Sequence, residues 1–164
     1  MFVARELNLI TIAKTDDDLA QVRSLFSEYA SSIGIDLSFQ DFDQEFANLP
    51  GEYAPPSGCI LLAKEGSEAV GCVALRRISE DICEMKRLYV KSTFRKKSFG
   101  RKLSESVIGE ARLRGYRIMK LDTLPSMRDA LRLYVSLGFR KTKPYRYNPV
   151  IGAVFMQLDL TTST

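Results

Sequence analysis

Between residues 95 and 102 the chain reads Arg95-Lys96-Lys97-Ser98-Phe99-Gly100-Arg101-Lys102, five cations in eight residues. The apolar residues just beyond it, Leu103, Val107, Ile108 and Ala111, recur at helical spacing, so the basic run opens a helix. First-turn N–H groups of a helix lack carbonyl partners and lie at the positive end of the helix dipole, a setting that suits a phosphate or pyrophosphate. The spacing does not fit the Walker pattern G-x-x-x-x-G-K-[ST], and the paired glycines of a dinucleotide fingerprint are missing. The net charge of +4 is unevenly spread, because residues 15 to 52 are acidic, with Asp16, Asp17, Asp18, Glu28, Asp36, Asp41, Asp43, Glu45 and Glu52. That points to a local anion site. A nucleic-acid partner is not expected, since a nucleic-acid module spreads its cations over a face with exposed aromatics.

The absence of histidine removes whole classes of chemistry: a Ser-His-Asp or Cys-His site and imidazole-ligated zinc are excluded. Cys59, Cys72 and Cys83 are an odd number with no C-x-x-C spacing, and each falls in a strand-like stretch where a free thiol acts as a small apolar side chain. No metal is expected. A length of 164 residues with 45% apolar and 27% charged residues suits one compact domain over 1–164. The longest apolar stretches, Cys59 to Ala63 and Ala69 to Leu75, fall far short of the roughly 20 residues of a membrane span. Met1 to Glu6 carries no secretory pattern, so a cytoplasmic location is the expectation.

Leu7 to Lys14 alternates as a strand. Thr15 and Asp18 cap a helix from Asp16 to about Ser32, with Leu19, Val22, Leu25, Phe26, Tyr29 and Ala30 on one face and Gly34 beyond its end. Ser38 caps a shorter helix carrying Phe39, Phe42 and Phe46, ended by Pro50-Gly51, and an irregular loop runs to Gly58. Three strands follow, Cys59 to Lys64, Ala69 to Ile78 and Ile82 to Val90, joined by short turns that favour an antiparallel meander. Then come a helix from Gly100 to Gly115, a strand from Arg117 to Asp122, a helix from Ser126 to Leu137 ended by Gly138, and a last strand from Ala153 to Leu160. Strand, helix and strand across 82 to 122 form a parallel crossover. The class is α/β, with a mixed sheet.

The run Glu84-Met85-Lys86-Arg87-Leu88-Tyr89-Val90, followed by Phe94 to Leu103, resembles the acetyl-CoA motif of the GNAT acetyltransferases, [QR]-x-x-G-x-[GA]. Ala130-Leu131-Arg132-Leu133-Tyr134-Val135-Ser136-Leu137-Gly138-Phe139 resembles the same family's A-x-x-L-Y-x-x-x-G-F helix end. Two departures stand out: Ser98 occupies the place of the first glycine, and Met127 that of a frequent asparagine. The resemblance implies a GNAT fold, a mixed and mostly antiparallel sheet of about 6–7 strands with about 4 helices, and acetyl-CoA as co-substrate. It implies that Leu88, Tyr89 and Val90 run along the pantetheine arm. The N–H groups from Lys96 through Lys97, Ser98, Phe99 and Gly100 to Arg101 would hold the pyrophosphate, with Arg95 and Lys96 adding charge. The sheet would splay after the strand ending at Val90, with Thr123 and Leu124 lining the cofactor across the opening.

Transfer of acetyl to an amine needs a base for the ammonium, donors for the oxyanion and an acid for the thiolate. Glu84 precedes Arg95 by eleven residues, the spacing at which related enzymes place a catalytic glutamate, and is the expected base. The alternative is that it pairs with Arg76, Arg77 or Arg87. Tyr134 matches the family's acid, against a purely packing role beside Leu131 and Leu137, and a backbone N–H near Leu88 would serve the oxyanion. The acceptor pocket would draw on Phe26, Tyr29, Phe39, Tyr53, Tyr145, Arg146, Tyr147 and Asn148, of which Tyr29, Tyr145, Arg146 and Asn148 are the expected substrate contacts. The expected reaction is direct attack of a small molecule's primary amine in a ternary complex, with Arg146 meeting a carboxylate on the acceptor. The competing readings are a catalytically silent acyl-CoA-binding domain and a protein or peptide amine acetyltransferase. Pairing of two copies, common among relatives, is left open.

Overall fold

The computed structural model of the protein describes residues 9–34 and 42–162. Its strands are β1 (Leu9–Ile12), β2 (Cys59–Glu65), β3 (Glu68–Arg77), β4 (Ile82–Val90), β5 (Ile118–Thr123), β6 (Arg140–Lys141) and β7 (Val154–Asp159). They form one sheet in the order β1-β2-β3-β4-β5-β7-β6, antiparallel throughout except for the β4–β5 pair. The helices are α1 (Asp16–Ile33), α2 (Phe42–Ala47), α3 (Phe99–Leu113) and α4 (Arg128–Ser136). This is the mixed α/β sheet expected from the sequence, with α3 as the crossover that parallel strands require. Leu7, Ser38 and Phe39 lie outside the described residues.

The α1 helix begins with a reciprocal capping box: Asp18 N–H donates to Thr15 Oγ1 at 3.0 Å and Thr15 N–H donates to Asp18 Oδ2 at 3.2 Å. It ends at Gly34, whose φ of 62° closes the last turn. Alternation along the strands divides the apolar residues between two layers. Cys59, Leu61 and Ala63 of β2 and Cys83 and Met85 of β4 pack with Phe99, Leu103 and Val107 of α3. Ile60 and Leu62 of β2 and Cys72 and Ala74 of β3 pack with Val22, Leu25 and Phe26 of α1. Because helices cover both faces, the central strands read as nearly continuous apolar runs.

Three local features depart from the sequence reading. The segment Ser92–Lys97 winds as a 3-10 turn rather than running as an open loop. The two-residue β6 pairs with β7 and was not anticipated, being too short and too charged to show alternation. The third is in β4. Cys72 opposes Tyr89 while Ala74 opposes Lys86, so β4 carries one extra residue, and Arg87 there has φ 61°. The pairing of β4 with β5 spans only Ile82↔Ile118, Cys83↔Met119 and Glu84↔Lys120. The strands therefore part within β4, after Glu84, and not beyond its end at Val90.

Candidate active site

Where β4 and β5 separate, a cleft of about 590 Å³ opens beside the N-terminus of α3. Leu88, Tyr89 and Val90 form one wall, and Arg95, Ser98, Gly100 and Arg101 form the end. Leu124, Met127 and Leu133 close the other side, and Tyr29 and Ser32 of α1 cover it. Ser98 is the pivot, with φ 63° and ψ 18°, the left-handed conformation in which a glycine is unstrained and a serine costs about 1 kcal/mol. Its side chain makes no capping bond. The first N–H groups of α3 therefore have no partner from the cap side chain and are available to an anion.

The cations of the basic run divide by position. Arg95 donates from Nε to the Val90 carbonyl at 3.0 Å and stacks over Tyr89 at 5.8 Å, which holds it at the cleft. Arg101 lines the cleft and donates to Ser136 Oγ at 2.5 Å, tying α3 to α4. Lys97 instead pairs with Glu65 at 3.0 Å, and neither it nor Lys96 lines the cleft. Phe99 is fully buried in the α3-side core, so only its backbone can serve the anion site. Ser126, Arg128, Asp129 and Ala130 also line the cleft; Ser126 does not cap the helix as expected from sequence, because α4 begins at Arg128, after Met127, with no side-chain capping bond.

A chamber of about 30 Å³ continues from the cleft through the parted strands, sharing Tyr29, Leu88 and Met127 with it. Lys86, Asp122, Thr123 and Tyr134 line this chamber. The helix-end motif explains how Tyr134 is held. Gly138, at φ 100°, turns the chain so that Phe139 N–H reaches the Tyr134 carbonyl at 3.0 Å, and the two rings pack with centroids 5.7 Å apart. Tyr134 is 6% exposed. Burial, with Tyr29 and Asp122 nearby, pushes its phenol well above the usual range.

On the α1 side of the sheet lies a second pocket, of about 570 Å³, lined by Glu45, Glu52, Arg76, Arg77, Glu84, Tyr145 and Arg146 among others. Glu84 is its fully buried centre. Oε1 accepts from Arg76 Nε at 2.7 Å and from Arg146 at 3.2 Å, and Oε2 accepts from the Tyr145 hydroxyl at 2.5 Å and from Arg146 at 2.9 Å. Burial alone would raise the Glu84 pKa, but Lys86, Arg76 and Arg146 outweigh it and hold the carboxyl below its ordinary value. Arg76 also reaches Glu52 at the rim. Asn148 donates to Asp122 at 3.1 Å and accepts from Val150 N–H at 3.0 Å, which fastens the loop before β7 to the end of β5.

Other residues expected at the acceptor pocket fall elsewhere. Phe26 and Tyr53 are core residues under α1, and Tyr147 points to solvent. Of the three arginines expected as alternative partners of Glu84, Arg76 bonds it, while Arg87 is buried against α2, donating to Glu45 at 2.8 Å and lying 5.8 Å from the Tyr29 ring.

The family model of the acetyltransferase (GNAT) family matches residues 19–139. The chain belongs to the GNAT acetyltransferase family. This GNAT N-acetyltransferase is 40% identical over 154 residues to an uncharacterized N-acetyltransferase of Schizosaccharomyces pombe, covering 93% of this chain and 94% of that one. It is 33% identical over 119 residues to the N-acetylaspartate synthetase of Danio rerio, covering 70% of this chain and 42% of the synthetase. A GNAT acetyltransferase of Staphylococcus aureus shares the fold at a TM-score of 0.77 with 21% identity, covering 93% of this chain and all of that one (100%). The family uses acetyl-CoA, and an acetyltransferase of Salmonella typhimurium solved with its cofactor acetyl-CoA shares the fold at a TM-score of 0.72 with 20% identity, covering 96% of each chain. The residues of the cleft fit such a ligand: the uncapped helix start could hold its pyrophosphate, and the apolar Leu88, Val90, Leu124 and Leu133 would line its pantetheine arm. No helix among the described residues is long and apolar enough to cross a membrane.

Proposed function

We propose that the protein moves acetyl from acetyl-CoA to the primary amine of a small aminocarboxylate bound on the α1 side of the sheet, by direct attack in a ternary complex. The observation that carries this reading is the buried Glu84 carboxylate, which clamps Arg146 and Arg76 at a pocket that also holds Arg77. A guanidinium oriented by a buried partner keeps its remaining donors aimed in fixed directions, which suits a carboxylate. A relative named for N-acetylaspartate supports an acceptor of this class.

In this mechanism the first turn of α3, with Arg95 and Arg101, binds the pyrophosphate of acetyl-CoA, and Leu88 to Val90 guide the pantetheine arm. A backbone N–H near Leu88 serves the oxyanion. Tyr134 donates its phenolic proton to the departing thiolate. Glu84 acts as the anchor of the acceptor site, because four donor contacts occupy both of its oxygens. Tyr29 lines both the cleft and the chamber, beside the expected place of the thioester.

The test is a thermal-shift titration with acetyl-CoA and CoA, followed by CoA release with a panel of amino acids, carboxylate-free amines and short peptides. A rise in melting temperature with acetyl-CoA is expected from mass action. Preference for aminocarboxylates, with Arg146→Ala raising their KM at least tenfold, is the expected outcome. Equal rates with carboxylate-free amines would reject the acceptor class, and selective turnover of peptides would favour the peptide reading.

A further inference from the structure

Lys86 lies in none of the roles assigned so far, and its position is unusual for a lysine. On β4 Cys83 and Met85 join the α3-side core, so Glu84 and Lys86 face the α1 side, about 7 Å apart along the strand. Lys86 is the first residue of its face beyond Glu84↔Lys120, the last pair before β4 and β5 separate. It is 5% exposed and lines the small chamber together with Leu88 of its own strand, Asp122 of β5, Tyr134 of α4 and Tyr29 of α1. That chamber adjoins the cofactor cleft through Tyr29 and Leu88, whereas Glu84 lines the acceptor pocket. Lys86 thus lies beside the cofactor cleft, on the same face of β4 as Glu84 of the acceptor pocket.

The charges facing it come from every neighbouring element: Arg87 and Glu84 on β4, Arg76 on β3, Asp122 on β5 and Arg146 on the loop before β7. Burial first, and then Arg87, Arg146 and Arg76, lower its pKa to about 7, with Glu84 opposing. A buried amine of this kind is a suitable proton acceptor near neutrality.

We propose that Lys86 is the general base of acetyl transfer, taking the proton from the acceptor's ammonium where the chamber meets the cofactor cleft. The inference rests on the amine-acceptor reading above. The neutral Lys86 Nζ accepts one proton from R–NH3+, and the freed amine nitrogen attacks the thioester carbonyl carbon. The tetrahedral intermediate collapses with cleavage of the C–S bond, and the thiolate takes the Tyr134 phenolic proton. The second amine proton, released on collapse, restores the phenol, and Lys86 returns its proton to solvent. One acetyl group moves, CoA leaves as the thiol, and one proton is released per turnover.

The experiment compares the pH dependence of kcat/KM for the wild type, Lys86→Met, Lys86→Arg and Glu84→Gln, with melting temperature and its shift by acetyl-CoA checking that each variant is folded. The wild type should lose activity about tenfold per pH unit below roughly 7. Both Lys86 variants should lose about 100-fold or more in kcat and lack that acidic limb, Arg failing because it keeps the charge without yielding a base. Glu84→Gln should keep the limb, moved to lower pH because Glu84 opposes the lowering of the Lys86 pKa, and raise the acceptor KM. Retention of wild-type kcat in Lys86→Arg, or persistence of the limb in Lys86→Met, or its loss in Glu84→Gln alone, would overturn the proposal. A second readout is NMR titration of 13Cε-labelled lysine in the acetyl-CoA complex, with the Lys86 signal assigned by its absence in Lys86→Arg. A midpoint near 7 is expected, and one near the ordinary 10.5 rejects Lys86 even if the acceptor reading holds. No CoA release by the wild type with any amine would instead reject the acceptor reading and the base with it.

Discussion

Glu84 on β4 and Arg146 on the loop before β7 are 62 residues apart in sequence and 2.9 Å apart in space. The contact joins a strand of the sheet's centre to the loop that walls the acceptor pocket, with Tyr145 bonded to the same carboxylate. Removing the carboxylate leaves two guanidiniums facing each other without their shared anion. Glu84→Ala should therefore cost about 3–5 kcal/mol of stability, the range for breaking a buried pair from one side. Urea unfolding measures this, and a loss under 1 kcal/mol would mean that the clamp is not held as described.

The same carboxyl gives a pH signature. Its folded pKa lies below the ordinary glutamate value, so the unfolded state binds the proton first as pH falls. Its contribution to stability is present above the unfolded pKa and is lost as pH falls through the folded one. The stability difference between wild type and Glu84→Gln should shrink steadily on acidification below the ordinary carboxylate range. A difference that stays constant down to acid unfolding would argue against an ionised Glu84.

Tyr134→Phe isolates the acid. The hydroxyl is lost while the ring contact with Phe139 is kept. We expect kcat to fall about 100-fold, within the usual range for a proton donor, with an unchanged thermal shift by acetyl-CoA. Because burial raises the phenol's pKa, wild-type kcat should show no alkaline limb from Tyr134 near neutrality. An unaltered kcat in the variant would assign Tyr134 to packing alone.

The parts of this site that sequence made legible are those built by local rules. The Thr15–Asp18 cap, the helix start after Ser98 and the Gly138-Phe139 helix end each depend on residues within a few positions of one another. What was hidden depends on tertiary packing. Arg87 at φ 61° carries no local signal, since a glycine or asparagine would ordinarily announce such a bulge. Lys86 reads as one more polar residue of an alternating strand until helices on the α1 side and the parting of β5 enclose it. Glu84, Tyr145 and Arg146 were each legible as functional, but for separate roles, and only the fold unites them in one hydrogen-bonded group.

Ser98 offers a test with the opposite sign. Glycine at φ 63° removes the left-handed penalty of a side chain, and the serine hydroxyl makes no capping bond that would be lost. Ser98→Gly should stabilise the protein by about 1 kcal/mol, somewhat offset by the greater freedom of the unfolded chain. Binding of acetyl-CoA, measured by calorimetry, should be equal or tighter. A destabilised variant would mean that the serine side chain has a role in the loop.

The bulge at Arg87 supplies the last prediction. It sets the path of Leu88 beside the cleft, and its strained backbone is held by a side chain clamped between Glu45 of α2 and the rings of Tyr29 and Phe42. Arg87→Ala would leave Glu45 without this partner, at a cost of about 3–5 kcal/mol, while Arg87→Ala combined with Glu45→Ala removes both charges. The double variant should thus be less destabilised than the sum of the two single ones, a coupling of about 1–3 kcal/mol between contacting residues. If the clamp also fixes Leu88, kcat/KM for acetyl-CoA should fall in every variant lacking Arg87, and the double variant should regain stability without regaining activity. Recovery of both together would separate the bulge from catalysis and leave Arg87 as a purely structural tie between β4 and α2.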